Sequence, residues 1–506
     1  MPSLTRRELF ACAAASTLVA AARPRPNIVL ILADDLGYGD VSCNNPRSKI
    51  STPFVDRLAA QGMRFTDAHT PSAVCSPTRY GLMTGRYAWR GALKNGVLDG
   101  FDPPLIERDR TTIAALLQRN GYETACIGKW HLGMQWTEKS GKPFPGRTPP
   151  GKGEFYAGTD IDLTKPVTGG PNAVGFDYYY GISASLDMSP YCFIENDRAL
   201  LQGGTAVATK AASGEPLFRN ERAGYGSADF TVEGVIPRLT QKAVEFIRKP
   251  RPKDKPYFLY VPLTSPHMPV VPNRDVEGAS QAGRYGDFVV EMDRTVGRIL
   301  EAVGGSDTIV IFTSDNGGLF HSWIPEETDD KAGYKPTPRG LEVAKYGHDG
   351  NGDLRGTKAD IWEGGHRVPF LVRWPGKVKP GTVSTALLGL TDLYATLAGV
   401  AGAKIPPGNA EDSISQLAVF TGKAKEVRKS IVHHSIRGVF SVREGSWKYV
   451  PSRGSGGFSS PQEVKAEGGQ LYNLAVDPRE TRNLYSTNPE KVKQMSALLD
   501  RVQAGR

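Results

Sequence analysis

The chain has few cysteines and no long apolar run. Its 506 residues include five cysteines, namely Cys12, Cys43, Cys75, Cys126 and Cys192. Their spacing matches neither a disulfide framework nor a zinc ligand set. Either one disulfide among Cys43, Cys126 and Cys192 or three buried thiols is compatible with that spacing. No segment reaches the roughly 18 uninterrupted apolar residues that a membrane-spanning helix needs, so we expect no integral membrane segment.

Runs of lysine and arginine interleaved with aromatic residues are also absent. That pattern is typical of nucleic-acid-binding surfaces, and we therefore expect no nucleic-acid partner. The formal net charge is nevertheless +9, which favours anionic partners such as acidic lipid or sulfated polysaccharide, or serves solubility alone. Hydrophobic residues make up 39% and charged residues 23% of the chain, as in soluble globular proteins. The length indicates a large core plus a second unit.

The N-terminus has the order of an export signal. Arg6 and Arg7 precede an alanine-rich apolar stretch that ends in small residues at Ala22. A charged, then apolar, then small segment is typical of a secretory signal peptide, and the paired arginines indicate the twin-arginine type. We therefore predict that residues 1–22 are a signal peptide and that a bacterial cell exports the protein to the periplasm or the medium.

Four apolar runs rich in β-branched residues each end abruptly in polar residues. They are residues 27–33, 124–128, 257–263 and 308–314. Such runs are typical of strands buried on both faces, and the amphipathic stretches between them are typical of helices. This alternation predicts an α/β fold, with a large, mostly parallel mixed sheet sandwiched by helices in a catalytic domain of residues 23–410. Alternating runs beyond residue 438 predict a smaller C-terminal α+β domain of residues 411–506 with a short antiparallel sheet.

Acidic and amide side chains follow two of these runs. Asp34 and Asp35 follow the first run, and Asp315 and Asn316 follow the last. Because ligands gather at the carboxyl ends of the strands in such folds, we expect the four side chains to meet at one edge of the sheet. Oxygen donors without a thiolate or an imidazole suit a hard cation such as Ca²⁺ or Mg²⁺ better than zinc.

Cys75 is predicted to lie at the start of a helix that covers Pro77 to Thr84. Proline suits the first helical turn, since its missing N–H would be unpaired there anyway. The positive end of such a helix favours an anion bound beside Cys75. Arg79 lies about one turn further along and is able to point back at residue 75.

Three segments resemble motifs of the sulfatase family. Cys75-Ser76-Pro77-Thr78-Arg79 with Thr84-Gly85 matches C-x-P-x-R-x(4)-T-G, Gly128-Lys129-Trp130-His131-Leu132-Gly133 matches G-K-W-H-L-G, and Arg355 to Gly365 resembles R-G-x-K…x-W-E-G-G. The resemblance extends from Asn27 to about Asn483 and is nearest to the arylsulfatase A and N-acetylgalactosamine-6-sulfatase types. It implies an alkaline phosphatase-like fold.

The resemblance also implies a modified nucleophile and a metal. In this family a separate formylglycine-generating enzyme oxidises the cysteine that matches Cys75 to formylglycine, whose hydrate attacks sulfur. The family's metal is Ca²⁺, and the implied ligands are Asp34, Asp35, Cys75, Asp315 and Asn316.

Six further side chains take roles from the same resemblance. Arg79, Lys129 and Lys358 would neutralise the charge on the sulfuryl oxygens, His131 would handle the proton of the hydrate, His267 would protonate the leaving alcohol, and Ser185 would lie near the sulfate. Positioned cations and acid–base groups of this kind are what hydrolysis of a sulfate ester needs.

We therefore expect a sulfuric ester hydrolase that acts on a sulfated carbohydrate, in an exo manner on a galactose- or N-acetylgalactosamine-type sugar. Two alternatives stay open at this point. One is a phosphate or phosphonate ester hydrolase on the same scaffold, and the other is an exported glycan-binding protein that has lost catalysis. His433 and His434 suggest either part of a sugar pocket or a solvated turn.

Overall fold

The computed structural model describes residues 25–147, 149–210, 218–219, 221–252, 254–305, 307–321, 337–459 and 468–505. The predicted signal peptide lies outside these residues. Within them, no helix has the length and apolar character needed to cross a membrane. Cys43, Cys126 and Cys192 are all free thiols, so the described cysteines form no disulfide. Cys126 and Cys192 are buried as the second alternative requires, whereas Cys43 is only half-buried.

The described residues form eighteen strands in four sheets. The strands are β1 Asn27–Asp34, β2 Met63–Phe65, β3 Ala68–His69, β4 Glu123–Lys129, β5 Tyr178–Ile182, β6 Ile194–Glu195, β7 Arg198–Ala199, β8 Val207–Thr209, β9 Gly224–Gly226, β10 Tyr257–Pro266, β11 Thr308–Ser314, β12 Phe370–Arg373, β13 Thr382–Ser384, β14 Leu388–Gly389, β15 Ser430–His434, β16 Phe440–Glu444, β17 Trp447–Val450 and β18 Gln470–Asn473. The main sheet has ten strands in the order β13-β2-β12-β11-β1-β10-β4-β5-β6-β7. Its centre, from β11 to β5, is parallel, whereas β12, β6 and β7 join it in antiparallel pairs.

Ten α-helices and four short 3₁₀ helices complete the described residues. The α-helices are α1 Pro53–Gln61, α2 Cys75–Thr84, α3 Ile113–Arg119, α4 Val235–Arg248, α5 Gly283–Val303, α6 Pro338–Ala344, α7 Glu363–His366, α8 Asp392–Ala401, α9 Leu417–Phe420 and α10 Pro489–Gln503. The 3₁₀ helices are Ala88–Arg90, Pro171–Val174, Gln202–Gly204 and Arg274–Val276. The predicted α/β fold with helices on both faces of a mixed sheet is confirmed.

The central strands are apolar because helices cover both faces of the sheet. In β1, Ile28, Leu30 and Leu32 pack into one core, which includes residues of α2, α3 and α8. Val29, Ile31 and Ala33 point the other way into a second core, which includes residues of α1, α4 and α5. Successive side chains of a strand alternate between faces, so a strand between two helix layers needs an apolar residue at every position.

The register of the central strands brings the polar residues after them to one edge. In the parallel pairs, Ala33 of β1 lies beside Ser314 of β11, and Asp34 lies beside Pro266 of β10. The residues that follow β1, β10 and β11 are therefore neighbours in space. The carboxyl ends of β1, β10, β11 and β4 meet there, which is where parallel sheets bind ligands.

The C-terminal part contains the predicted short antiparallel sheet. Its four strands follow the order β15-β16-β17-β18, and α10 contributes Met495, Leu498 and Leu499 to a small core with residues of β15, β16, β17 and β18. The boundary between residues 410 and 411 stays a prediction.

A buried histidine cluster joins β15 and β17 of the C-terminal sheet to α7 and β3. The Nζ of Lys448 in β17 donates to Nε2 of His366 over 3.1 Å. The Nδ1 atoms of His366 and His69 are 3.0 Å apart, and Nε2 of His69 lies 2.9 Å from Oδ1 of Asp67. His433 stacks on His366 with 3.8 Å between ring centroids. The expectation of a solvated turn for His433–His434 is therefore wrong, because β15 carries these two side chains into the interior, where they are at most 1% exposed. The alternative of a sugar pocket stays a prediction.

The cluster makes stability depend on pH. Burial lowers the pKa of His69 and holds the pKa values of His366 and His433 well below the usual histidine value of about 6.5. The unfolded chain therefore binds protons below about pH 6.5 that the folded chain does not bind, so stability falls as the pH falls through that value.

We expect the free energy of unfolding to decrease between about pH 7 and about pH 5, and His433→Asn to weaken this dependence. Nδ1 of His433 donates to the carbonyl oxygen of Thr70 over 2.9 Å, a bond that the asparagine amide is able to replace without titrating. The slope should fall by about 1.4 kcal/mol per pH unit, the contribution of one proton. Urea unfolding at several pH values measures it, and an unchanged slope would contradict the assignment.

Candidate active site

Cys75 is the first residue of α2, and the whole of this helix is buried. Val74 before it is extended, and Gly85 after it takes the left-handed conformation (φ 66°) that ends many helices. The predicted helix is confirmed and begins at Cys75 itself. Burial raises the pKa of the Cys75 thiol, with Asp315 and Asp34 acting in the same direction and Lys129 and Lys358 opposing them. Residue 75 is therefore close to all four charges and is not poised as a thiolate.

Arg79 joins α2 to the strand ends. Its Nε and one terminal nitrogen donate to the same oxygen of Asp315 over 3.0 and 2.7 Å, and its other terminal nitrogen donates to the main-chain oxygen of Lys129 over 2.8 Å. The terminal nitrogen that contacts Asp315 also lies 3.6 Å from Oδ2 of Asp34. Arg79 thus holds a carboxylate as well as lying near residue 75.

Two buried lysines pair with the two acids that follow β1. Lys129 donates to Oδ2 of Asp34 over 2.6 Å and to the hydroxyl of Ser185 over 3.1 Å. Lys358 donates to Oδ2 of Asp35 over 2.7 Å. Burial would lower the pKa of Lys358, but the charge of Asp35 raises it above its usual value. Lys358 is therefore a cation at neutral pH.

Carbonyl oxygens fix the ring orientation of both predicted catalytic histidines. Nε2 of His131 lies 2.9 Å from the oxygen of Leu98, and Nδ1 of His267 lies 2.6 Å from the oxygen of Met268. Each carbonyl requires an N–H opposite it, so the other ring nitrogen carries a lone pair. Nδ1 of His131 is buried without a partner. Burial, helped by Lys129, holds the pKa of His131 well below its usual value, so the ring is neutral.

His267 is neutral for the same reason. Burial and the charge of Lys358 lower the pKa of His267 to about 4, although Asp35 acts in the opposite direction. Ser185 lies 3.1 Å from Nδ1 of His267, and Nε2 lies 3.6 Å from Oδ2 of Asp35. The structure thus brings His267 and Ser185 to the same place as the strand-end acids.

The predicted oxygen donors fit a hard cation. Oδ1 of Asp34 and Oδ1 of Asn316 are both buried without a hydrogen-bond partner, whereas Nδ2 of Asn316 donates to Asp35 over 2.8 Å and so turns its oxygen the other way. Burial and the charge of Asp34 raise the pKa of Asp315 to about 6. Crowded carboxylates and orphaned oxygens are both stabilised by a divalent cation.

The geometry adds a histidine to this group. Ligand atoms of Asp34, Asp35 and His267 lie within 4.8 Å of one another, although only oxygen donors were predicted from the sequence. Asp315 is hydrogen-bonded to the same group, since its Oδ1 accepts a hydrogen bond from the main-chain N–H of Asp35 over 3.2 Å.

Strained backbone positions cluster at the same edge. Asp35, His131 and Ala359 have φ values of 64°, 55° and 79°. Few non-glycine residues adopt this left-handed region, and it recurs where surrounding structure holds a functional side chain in place. Each of the three lies in a loop that carries a predicted site residue.

Asn351 is a buried residue that the sequence analysis missed. Its Oδ1 accepts from the N–H of Gly318 over 2.8 Å, and its Nδ2 donates to the carbonyl oxygens of Gly318 and Gly356, each over 3.1 Å. It therefore joins the turn after Asn316 to the loop that carries Lys358. No spacing in the sequence marks it, since it is one asparagine in a loop between two glycines.

Comparison with known proteins assigns the family. The sulfatase family model matches residues 26–403. The chain belongs to the sulfatase family. A second family model, the C-terminal region of N-sulphoglucosamine sulphohydrolase, matches residues 357–505. The predicted enzyme class, a sulfuric ester hydrolase, is confirmed.

Relatives match this sulfatase over nearly its whole length. An N-acetylgalactosamine-6-O-sulfatase of Bacteroides thetaiotaomicron is 32% identical over 95% of this chain and 93% of its own. Human arylsulfatase A is 31% identical over 92% of this chain and 84% of its own. A solved structure from a study of glycosaminoglycan metabolism by Bacteroides thetaiotaomicron has a TM-score of 0.79 at 31% identity, covering 95% of this chain and 100% of the other.

We expect Arg79→Met to destabilise the sulfatase by about 3–5 kcal/mol, because it leaves the buried carboxylate of Asp315 without its cation. Urea unfolding measures the loss. Arg47→Met is the matched control: it breaks an ion pair with Asp353 in which the arginine side chain is 72% exposed, and it should change stability by less than about 1 kcal/mol. Equal losses in the two variants would contradict the role given to Arg79.

Proposed function

We propose that this sulfatase removes sulfate from a sulfated carbohydrate, in an exo manner, on a galactose- or N-acetylgalactosamine-type sugar. The observation that carries the proposal is the convergence of Lys129, Lys358 and Ser185 around Cys75, in a family whose full-length relative above is an N-acetylgalactosamine-6-O-sulfatase. The chemistry follows from the contacts of these residues.

The two lysines bind the sulfuryl group. Lys129 and Lys358 are buried, and both act on the charge of residue 75. Cations held in place before the substrate arrives stabilise the charge that develops on the sulfuryl oxygens without reorganising. Ser185, already 3.1 Å from Lys129, adds a hydrogen bond beside them. Arg79 acts on the same charge and keeps Asp315 in position.

Residue 75 supplies the nucleophile after its conversion to formylglycine, whose hydrate carries the attacking hydroxyl. The raised pKa of the unmodified thiol supports this proposal, because a buried neutral thiol is a poor nucleophile. The conversion needs a formylglycine-generating enzyme as a partner. Export by the twin-arginine route carries folded protein, so conversion precedes transport to the periplasm or the medium.

His131 accepts the proton of the attacking hydroxyl. The carbonyl oxygen of Leu98 holds the proton of His131 on Nε2, which leaves the lone pair of Nδ1 unpartnered. A neutral imidazole with a free lone pair in a buried site is suited to be a general base.

His267 donates a proton to the leaving sugar oxygen. Before the substrate binds, the pKa of His267 is about 4, so its imidazole is unprotonated at neutral pH. The nearby charges of Lys358 and Lys129 contribute to this low pKa. A bound sulfate ester adds negative charge beside His267 and raises its pKa, because an opposite charge stabilises the imidazolium. Binding of the substrate therefore prepares the acid that the reaction needs.

Ca²⁺ would be held by Asp34, Asp35, Asp315, Asn316 and residue 75, where it would supply positive charge to the sulfuryl oxygens. The oxygen atoms of Asp34 and Asn316 that lack a partner support this ligand set.

The substrate proposal predicts release of sulfate from N-acetylgalactosamine 6-sulfate and from the non-reducing end of oligosaccharides that carry it. Ion chromatography measures the sulfate. Cleavage of internal sulfates only, or no cleavage by protein whose residue 75 is converted, would refute the proposal.

Mass analysis of the peptide that spans Ala73 to Arg79 serves as its control, since conversion replaces sulfur and two hydrogens by one oxygen. Cys75→Ala should lose turnover while its melting temperature changes little. Full activity of protein that contains only the unmodified Cys75 thiol would refute the assignment of formylglycine as the nucleophile.

Calcium should stabilise the chelator-treated protein. Free Ca²⁺ at about 100 times its dissociation constant adds about 2.7 kcal/mol, which a thermal shift measures. Asn316→Ala should reduce the shift, because it removes one of the unpartnered oxygens. Asp197→Asn, at a side chain that is 58% exposed, should keep it. A shift of equal size in both variants would contradict the ligand set.

A further inference from the structure

Asp187 has a buried oxygen to which none of the described residues donates a hydrogen bond. The residue is 5% exposed. Its Oδ2 accepts from Arg222 over 2.8 Å, and the same guanidinium nitrogen also donates to its main-chain oxygen over 2.9 Å. Its Oδ1 is buried without a hydrogen-bond partner. Burying an acceptor without a hydrogen bond is unfavourable, and more so when the acceptor is charged, so a hydrogen-bond donor on a ligand would stabilise this oxygen.

This oxygen lies at the leaving-group side of the site. Asp187 comes two residues after Ser185, whose hydroxyl contacts both Lys129 and His267. The charge of Asp187 is close enough to act on the pKa of His267. Asp187 is thus near the group that protonates the leaving oxygen and not part of the lysine pair that binds the sulfuryl group.

A donor without a partner lies in the same region. Arg339 belongs to α6, whose first turn is capped by the hydroxyl of Thr337 accepting from Gly340 over 3.0 Å. Its Nε is buried and has no hydrogen-bond partner among the described residues. Burial lowers the pKa of Arg339, while the charges of Asp35 and Asp187 act to raise it, so the guanidinium lies within electrostatic range of both.

A carboxylate beside an anion-binding site restricts what binds next to it. It repels a second sulfate or a carboxylate on the substrate, and it accepts a hydrogen bond from a neutral donor. A sugar hydroxyl donates to a carboxylate and accepts from a guanidinium at once. A sulfated oxygen has lost its proton and can only accept.

We propose that Asp187 accepts a hydrogen bond from a free hydroxyl on the same sugar ring as the scissile sulfate, with Arg339 donating to that hydroxyl. The enzyme thereby selects a sugar ring on which this hydroxyl is free. If the hydroxyl carries a sulfate, that sulfate must be removed before the enzyme cleaves the scissile one. This inference rests on the proposed function, because it takes the leaving group to be a sugar.

The test is a cycle that combines one variant with matched substrates. Asp187→Asn keeps an oxygen for Arg222 and places an NH₂ group where Oδ1 was, so a donor replaces the acceptor. The substrates are N-acetylgalactosamine 6-sulfate, its 3-deoxy and 4-deoxy analogues, and the 3,6- and 4,6-disulfates. kcat/KM for release of the 6-sulfate is measured for both proteins.

The native enzyme should hydrolyse one deoxy analogue and the corresponding disulfate at least about 100-fold less efficiently than the monosulfate. In Asp187→Asn, the preferences for the monosulfate over the deoxy analogue and over the disulfate should each shrink about 10-fold or more, because the oxygen that accepts the hydrogen bond from the hydroxyl is gone. Asp275→Asn is the charge control: its side chain is 72% exposed, and it should leave both ratios as they are.

The outcomes separate this inference from the proposed function. If the converted native enzyme hydrolyses 4-nitrophenyl sulfate but none of the sugars, the proposed function fails and the inference falls with it. If it hydrolyses the monosulfate and Asp187→Asn lowers kcat/KM equally for every substrate, Asp187 has a structural role only and the inference alone is overturned. The deoxy and disulfate ratios of the native enzyme test it even if the variant does not fold: equal efficiency on all five sugars overturns it.

Discussion

Charge pairing at the carboxyl edge of the parallel strands is the constraint on which the rest of this structure depends. Asp34, Asp35 and Asp315 are buried side by side, and each makes its shortest ion pair with a different cation: Lys129, Lys358 and Arg79. A buried charge without its partner is strongly unfavourable, so helix α2 and the loops after β4 and β11 must dock in one arrangement. The docking that satisfies these charges also assembles the groups that we propose to bind and cleave the sulfate ester.

The same desolvation sets the chemistry. It keeps His131 and His267 neutral, and the carbonyl oxygens of Leu98 and Met268 decide which nitrogen of each ring holds the proton. One histidine is left as a base with a free lone pair. We propose that the other, His267, gains its proton when an anionic substrate binds, so that the bound ester provides part of the driving force for acid catalysis.

Much of the fold and of the site was predictable from the sequence because both leave local patterns. Strands β1, β4, β10 and β11 are continuous apolar runs, and the helix at Cys75 is marked by Pro77 and by the glycine after Thr84. Asn351 and Asp187 leave no such pattern, since their importance lies in hydrogen bonds made, or left unmade, with distant segments. His433 and His434 misled for the same reason: two polar residues suggest exposure, whereas β15 buries both, His433 against rings of β3 and α7 and His434 near Phe440.

The sequence by itself determined the order of apolar strands and polar strand ends, the helix that begins with Cys75 and the residue types of an oxyanion-binding, cation-binding site. Hydrophobic periodicity and short motifs are local, so they survive without the fold. Only the tertiary structure decided that Arg79 pairs with Asp315, 236 residues away, that His267 joins the strand-end acids, and that one oxygen of Asp187 stays unpaired. Those contacts depend on strand register and on the competition of buried charges for partners, which no local pattern records.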